Sequence, residues 1–303
     1  MMKTWKKVVY GSSIVCLISG IALGTYGYQT GGMDHVAQSK IEKSNIKEKF
    51  KTLDSVNQID ITANVSSVKI VETNEKKPSV LYYSDKKVPV EVTNTDGTLL
   101  VKETSKLKHF KGKFNFINLR DIANFTGEFT IGMDSPYHIT VKIPKDTKLK
   151  SLKTKIALGE LYLKNIRSQV NSLSLNVGEL TLTNCILTNG DVDLKVGDVN
   201  VNDCQLTDLN FTQQTGDASI SDSQLDNTTY KLQMGDFDGS ALTYLNKNSL
   251  KSQTGDIFIA LDKLDLTVNL TNTVGDTSIT PSLKDSSINK LDIKAQVGDV
   301  EVQ

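Results

Sequence analysis

The chain has 303 residues, of which 23% are charged, 38% hydrophobic and only 6% aromatic; this excludes a core built on large rings and favours short strands joined by many turns. Its three cysteines include no CxxC pair, which excludes a structural zinc site of the usual spacing. The formal net charge is zero, but basic residues predominate before residue 156 and acidic residues after it, so the basic part lies nearest the N-terminus.

The N-terminus has the features of a membrane anchor. Residues 8–28 contain no charged residue and are preceded by three lysines. A helix of this length spans about 30 Å, the thickness of the hydrocarbon core of a bilayer. We therefore predict a cytoplasmic tip and a single transmembrane helix over residues 1–28, with the remainder outside the cell. A cleaved signal peptide, with Ala22 and Gly24 before the cut, is the alternative, and both interpretations export the rest of the chain.

Two less regular segments come next. Residues 29–55 have only a thin apolar stripe and are predicted to be a tether. Residues 56–148 are predicted to be an N-terminal β region, with a corner at Ser66-Ser67 and a hairpin that turns at Asp96-Gly97. Within this region, residues 104–132 break the strand pattern and are predicted to be an insertion.

Residues 149–303 contain a recurring short motif in which glycine is followed by an acidic residue. The glycine spacings are 19, 19, 19, 19, 20, 20 and 23 residues, which indicates a repeat architecture. Glycine and a short acid suit a turn, so these glycines are predicted to be structural turn residues. They are Gly159, Gly178, Gly197, Gly216, Gly235, Gly255, Gly275 and Gly298.

Each copy has the same internal pattern. Apolar residues lie at positions −5, −3 and −1 relative to the glycine and again at +2 and +4; around Gly178 these are Leu173, Leu175, Val177, Leu180 and Leu182. Period-two alternation predicts strands with one buried face, and the change of parity across the glycine predicts a corner. The sequence therefore predicts an all-β fold, a single-stranded β-solenoid of about 19-residue coils behind a degenerate β capping region.

The chain resembles a known group at this level. The apolar N-terminus, the strand pair around Ser66-Ser67, the strand ending at Pro144 and the tandem Gly-Asp coils are similar to the candidate-adhesin, β-strand-repeat family of surface proteins of Gram-positive bacteria. The resemblance covers most of residues 56–303. It implies a surface-exposed protein, and for some relatives an association with cell-envelope stress responses.

The acids that come after the glycines are the first candidate site. Carboxylates stacked at coil spacing repel one another unless they are paired, screened or bound to a cation such as calcium. The favoured interpretation is structural, with each acid accepting backbone N–H groups at its turn, and a cation ladder is the alternative. The acids of that alternative ladder are Asp198, Asp217, Asp236, Asp256 and Asp276.

Two further candidates lie elsewhere. Cys185 and Cys204 both come seven residues after their glycines, so they are expected on adjacent coils, close enough for a disulfide; a reduced pair in the core is favoured. A basic and aromatic segment suits contact with anionic lipid or an anionic wall polymer, with an ordinary insertion as the alternative. Its basic residues are Lys106, Lys108, Lys111 and Lys113.

No constellation in the sequence indicates catalysis. There is no Ser/His/Asp grouping or phosphate-binding loop, so we predict no enzymatic activity and no cofactor. The predicted function is a membrane-anchored, extracellular adhesion or scaffolding module. The alternatives are an envelope-stress signalling component that contacts another membrane protein and, third, a polysaccharide-active enzyme. Nucleic acid is not expected as a partner, whereas the final residues 300–303 are expected to leave an open strand edge for self-association or a partner strand.

Overall fold

The computed structural model describes residues 47–86, 88–104, 137–284 and 286–303. The predicted transmembrane helix, most of the predicted tether and almost all of the predicted insertion lie outside these ranges. Every regular element within them is a β-strand, which confirms the all-β prediction. In the same ranges no helix has the length and apolar character needed to cross a membrane.

The described part of the chain contains 26 strands. In its first half they are β1 (Lys47–Thr52), β2 (Gln58–Ala63), β3 (Ser67–Thr73), β4 (Ser79–Ser84), β5 (Val90–Thr95), β6 (Thr98–Glu103), β7 (His138–Pro144), β8 (Lys148–Leu149), β9 (Ser151–Leu158), β10 (Leu161–Lys164), β11 (Arg167–Ser168), β12 (Asn171–Val177) and β13 (Leu180–Thr183). The others are β14 (Ile186–Val196), β15 (Val199–Asn202), β16 (Gln205–Thr215), β17 (Ala218–Ser221), β18 (Gln224–Asp226), β19 (Thr229–Met234), β20 (Phe237–Leu245), β21 (Lys247–Thr254), β22 (Ile257–Leu261), β23 (Thr267–Val274), β24 (Thr277–Ile279), β25 (Lys290–Val297) and β26 (Val300–Val302).

Strands of successive repeats pair in parallel and in register. On one side of the glycine corner Leu161 pairs with Leu180, which pairs with Val199. On the other side Leu173 pairs with Val192. Each level of this stack, here called a layer, thus contributes a strand to a ladder on either side of the glycine corner. Because side chains at equivalent positions lie directly above one another, every position of the repeat becomes a column of similar residues.

The order of layers in space departs from the order along the chain at both ends. The layer β25–β26 lies between β21–β22 and β23–β24. At the other end β2–β3 lies between β6–β7 and β9–β10. The prediction that the chain stops on an open edge is therefore wrong, since the final strands have partners on both sides. At the distal end the free edge is formed by β23 and β24, because the chain after β24 returns to pair within the stack.

The N-terminal end of the stack is closed by antiparallel strands. The predicted hairpin at Asp96-Gly97 is present and lays β5 against β6. On the other ladder β4 pairs with β7, and β1 pairs with β4. The prediction that residues 29–55 form only a tether is wrong for β1, whose backbone groups are taken up by this sheet. An antiparallel cap of this kind covers the first parallel layer, and its outer strands β1 and β5 form the edge at this end.

The interior is filled by aliphatic side chains from every layer. Ile61, Leu163, Leu206 and Ile293 are completely buried and belong to one continuous cluster. Positions −5, −3, +2 and +4 of the regular repeats supply most of this core, as the alternation predicted. Sheet strands that bury one side chain in two gain most of their stability from these ladders of contacts.

Position −1 does not join the core, although the sequence pattern predicted it to be buried. The chain already turns toward the glycine at this position, so the side chain lies at the rim of the corner. The exposed fractions are 43% for Val196, 47% for Val297, 57% for Met234 and 58% for Val274. The change of parity thus begins one residue before the glycine.

Truncation of an inward-facing side chain is expected to cost much more than truncation of its outward-facing neighbour. Leu173 is fully buried, whereas Ser172 beside it is exposed. We expect Leu173→Ala to lower the free energy of unfolding by about 2–5 kcal/mol, because it removes apolar contacts and leaves a cavity. Ser172→Ala should change it by less than about 0.5 kcal/mol. Urea denaturation of both variants measures the difference, and equal losses would contradict the assigned faces.

Candidate functional site along the glycine–aspartate corner

The glycines of the repeat occupy a backbone conformation that other residues rarely adopt. Gly197, for example, has φ of 136°, and the other seven lie between 126° and 147°. The layers also approach closely here: a Cβ atom placed on Gly197 would lie 1.7 Å from the carbonyl oxygen of Gly178. Both backbone angle and contact therefore demand glycine at the corners of these eight repeats. These glycines lie at the turns of the chain, as the repeat predicted.

The aspartates after the glycines form a chain of hydrogen bonds along the corner. The backbone N–H of Asp217 donates to Oδ1 of Asp198 at 2.9 Å, and the same contact recurs between each pair of neighbouring layers from there onward. In each further pair the backbone N–H of the first residue donates to Oδ1 of the second: Asp236 to Asp217, Asp256 to Asp236, Asp299 to Asp256 and Asp276 to Asp299. Each of these acceptor carboxylates thus satisfies a backbone donor of the next layer, the structural role that the sequence favoured.

The two glutamates of the series behave differently, because their side chains are one methylene longer. Oε1 of Glu179 accepts from the Asn200 side chain at 2.7 Å and from the Thr181 hydroxyl at 3.2 Å. At Glu160 it is the backbone N–H that is engaged, donating to the Ser67 hydroxyl at 3.2 Å. The aspartate-to-backbone contact therefore starts only at Asp198.

A cation at this corner would share the carboxylates with the backbone. One oxygen of each of the five acceptor carboxylates is already engaged by a backbone N–H. Within the described ranges no three His, Cys, Asp or Glu side chains are grouped so that they could hold a metal ion. The geometry thus assigns these carboxylates to the backbone.

Two more corners recur in the central repeats, and neither was identified from the sequence. Asn184, Asp203 and Asp222 come six residues after their glycines, and all have positive φ. Asn189 and Asp208, which come eleven residues after theirs, do as well. Asparagine and aspartate tolerate this conformation better than other non-glycine residues. Their recurrence at fixed offsets was the signal that could have revealed these corners. Together with the glycine corner, they divide these repeats into three faces.

A groove of about 310 Å³ runs along the corner at Asn184 and its equivalents. Asp203, Asp222 and Asp262 line it, and Cys185 and Cys204 belong to its wall. Each of the three carboxylates belongs to a different layer. The groove is open and polar, and it lacks the enclosed shape of a catalytic pocket.

The cysteines lie next to each other, as the seven-residue offset predicted, and both thiols are free and buried. The backbone N–H of Cys185 donates to Sγ of Cys204 at 3.3 Å, and that of Cys204 donates to the Ser223 hydroxyl at 3.0 Å. Contact with the Cys185 thiol and burial raise the pKa of the Cys204 thiol above its usual range. Both side chains are almost completely buried, so the pair packs as small apolar residues of the core.

A buried polar network supports the corner from inside. Nε2 of Gln213 donates to the carbonyls of Gly197 and Asp217 at 2.9 and 3.1 Å. The Tyr230 hydroxyl donates to Oε1 of Gln213 at 2.6 Å, and burial raises the pKa of that hydroxyl. These residues satisfy carbonyl groups that face the core, so the network stabilises the turn.

Glu103 is a second buried polar group that sequence reasoning missed. Its carboxylate accepts the backbone N–H groups of Val65 and Ser66 at 3.1–3.2 Å, at the serine corner predicted from the sequence. Burial raises its pKa, although these hydrogen bonds act in the opposite direction. Glu103 continues the inward alternation of Leu99 and Val101, and a charged residue at an inward position was the signal.

The predicted anionic-contact residues Lys106, Lys108, Lys111 and Lys113 lie outside the described residues.

Comparison with known proteins gives a family and several distant structural likenesses. A lipid-binding candidate from Parabacteroides distasonis has 13% identity and a TM-score of 0.47, with 86% of this chain and 97% of that chain covered. An adhesin candidate from Bacteroides fragilis has 12% identity and a TM-score of 0.35, with 86% and 97% covered. A third, an adhesin candidate from Parabacteroides merdae, has 13% identity and a TM-score of 0.31, with 86% and 98% covered.

A comparison with curated proteins finds no match. The TM-scores of the three structures above lie below 0.5, and these likenesses carry no functional argument. The family model named Toastrack DUF4097 matches residues 56–303, which is most of the chain. The chain therefore belongs to the Toastrack DUF4097 family.

Proposed function

We propose that this chain is a non-catalytic module of the cell surface, a β-solenoid that serves adhesion or scaffolding. The proposal rests on the observation that the polar groups of the glycine–aspartate corner form hydrogen bonds within the fold. The corner aspartates accept backbone N–H groups of the neighbouring layer, and the interior consists of aliphatic ladders. Side chains engaged in this way hold a regular exterior in place rather than a reactive centre.

The location outside the membrane is part of the same proposal. It rests on the uncharged run at residues 8–28 and the lysines before it, which suit a retained anchor with its N-terminus in the cytoplasm. The columns of exposed polar side chains on the stack repeat at about 4.8 Å, the spacing of neighbouring strands, and such a surface suits a ligand that is itself repetitive.

A second candidate function is contact with another membrane protein in envelope-stress signalling. The free edge formed by β23 and β24 favours it. These strands contain no charged residue, and Val274 and Ile279 on them are exposed. Uncharged edges accept an additional strand readily, whereas most natural edges are blunted by charge or proline.

Fractionation and retention experiments test the proposal. The full chain, tagged at its C-terminus and expressed in a bacterium, should sediment with membranes, and protease added to intact cells should remove the tag. The purified full chain in non-ionic detergent should then be retained by isolated cell-wall material and not by wall material stripped of its polymers. Heat-denatured chain is the control.

Three results would count against the proposed function. A tag protected in intact cells would contradict the surface location. Retention by one defined membrane protein, with none on wall material, would favour the signalling candidate. Release of new reducing ends from a wall polysaccharide would revive the enzymatic alternative.

A further inference from the structure

A column of lysines runs along one outer face of the distal layers. Lys231 pairs with Lys251, and Lys251 pairs with Lys294, so three like charges occupy successive layers. Four residues earlier in the same strands, Lys247 pairs with Lys290. All five side chains are exposed. We call these five residues the lysine ladder.

The lysine ladder is concentrated in a part of the chain that is otherwise acidic. Residues 156–303 contain ten lysines and arginines, and five of the ten are in this ladder. The residues that flank the three-lysine column are uncharged: Thr212 lies before Lys231, and Thr271 lies beyond Lys294. The charge is therefore clustered along the stack axis rather than spread over the face.

None of these five ammonium groups takes part in an ion pair within the described ranges. The ion pairs found there involve other lysines or arginines. The nearest acid along the strand, Asp292, has its carboxylate engaged by Nδ2 of Asn269 at 2.7 Å. Like charges placed directly opposite each other on a sheet destabilise it, so the fold itself gains nothing from the ladder.

We propose that the lysine ladder binds a linear polyanion with phosphate groups that lies along the stack axis. Neighbouring layers are about 4.8 Å apart, so the three ammonium groups span about 10 Å in a line. This arrangement matches successive charges on one extended chain. A bilayer surface, in contrast, would meet charges distributed in a plane. The inference rests on the proposed surface function and names the ligand class of that module.

Binding of long-chain inorganic polyphosphate by the full chain in non-ionic detergent tests the inference. The triple variant Lys231→Gln/Lys251→Gln/Lys294→Gln should weaken binding at least tenfold at moderate salt. Its slope of log K against log salt should fall by about 2, because each contact with a single-stranded polyanion contributes roughly 0.7. The melting temperature should stay the same or rise, since repulsion within the column is relieved.

A matched variant separates the column from charge in general. Lys148→Gln/Lys150→Gln/Lys153→Gln removes three exposed lysines that do not form a column, with the same change in net charge. It should weaken binding less than twofold. Equal weakening by both triple variants, or no binding of polyphosphate by the unaltered chain, would overturn the inference.

Vesicles of phosphatidylglycerol distinguish the source of the phosphate. Binding to vesicles that depends on the lysine ladder, without binding to polyphosphate, would overturn the assignment to a linear polymer and assign the ladder to the membrane surface. If retention on cell-wall material persists while polyphosphate binding is absent, the proposed function stands and only this inference fails.

Discussion

Gly197→Ala is expected to unfold the central layers of the stack. The new Cβ would lie 1.7 Å from the carbonyl oxygen of Gly178, and the backbone at φ of 136° is unfavourable for alanine. Neither group can move without breaking the pairing of the layers above and below. We expect the free energy of unfolding to fall by more than about 4 kcal/mol, a loss seen only for a few severe kinds of mutation. Thermal and urea denaturation of the purified chain measure the loss.

Gly239→Ala is the matched control for this prediction. Gly239 has an ordinary backbone angle, and its added Cβ would first meet Cδ1 of Leu242, the movable end of a side chain, at 2.6 Å. The cost should be clearly smaller than at Gly197. Equal costs at the two positions would show that the close approach of layers at the corner does not limit the fold.

Removal of residues 290–303 is expected to release two layers rather than one. β25 and β26 are the partners of β23 and β24, so their loss leaves the latter without a ladder. The buried side chains of Leu291, Ile293 and Val300 are lost with them. Burial of each such side chain is worth about 1.5–3 kcal/mol, so the distal end should lose most of its stability.

Hydrogen exchange measured by mass spectrometry tests this second prediction. Amides of residues 267–279 should lose their protection in the shortened chain, while those of residues 180–202 keep it. The opposite result, with 267–279 still protected, is the one expected from stacking in chain order, because β23 would then lie directly on β21. That outcome would contradict the inserted position of the final strands.

The glycine corners and the buried core positions could be predicted from the sequence, because physical constraints make both recur. A glycine that meets the carbonyl of the next layer tolerates no substitute, so it recurs visibly. The inward residues at −5, −3, +2 and +4 recur because they share one interior. Asn184 and its equivalents also recur at a fixed offset. Asparagine and aspartate are common throughout this chain, however, so the recurrence does not stand out from the background.

The order of layers at the ends could not be predicted in the same way. Every parallel strand in the stack carries nearly the same alternation, so from the sequence β23 would fit against β21 as well as against β25. Only the longer interval before Gly298 indicated a different connection. For the candidate site, the role of the corner aspartates could be derived from turn chemistry. The lysine ladder depends on Lys251 pairing with Lys294, which the sequence order does not reveal.

The inserted position of β25 and β26 has a consequence for synthesis of the protein. A chain made from its N-terminus can complete most layers as they emerge, since each finds its partner already present. β23 and β24 emerge before the strands on which they must pair. The distal end therefore closes only after β25 and β26 have left the ribosome and, for an exported chain, crossed the membrane. A product lacking its final strands carries an unfinished end that proteases can attack.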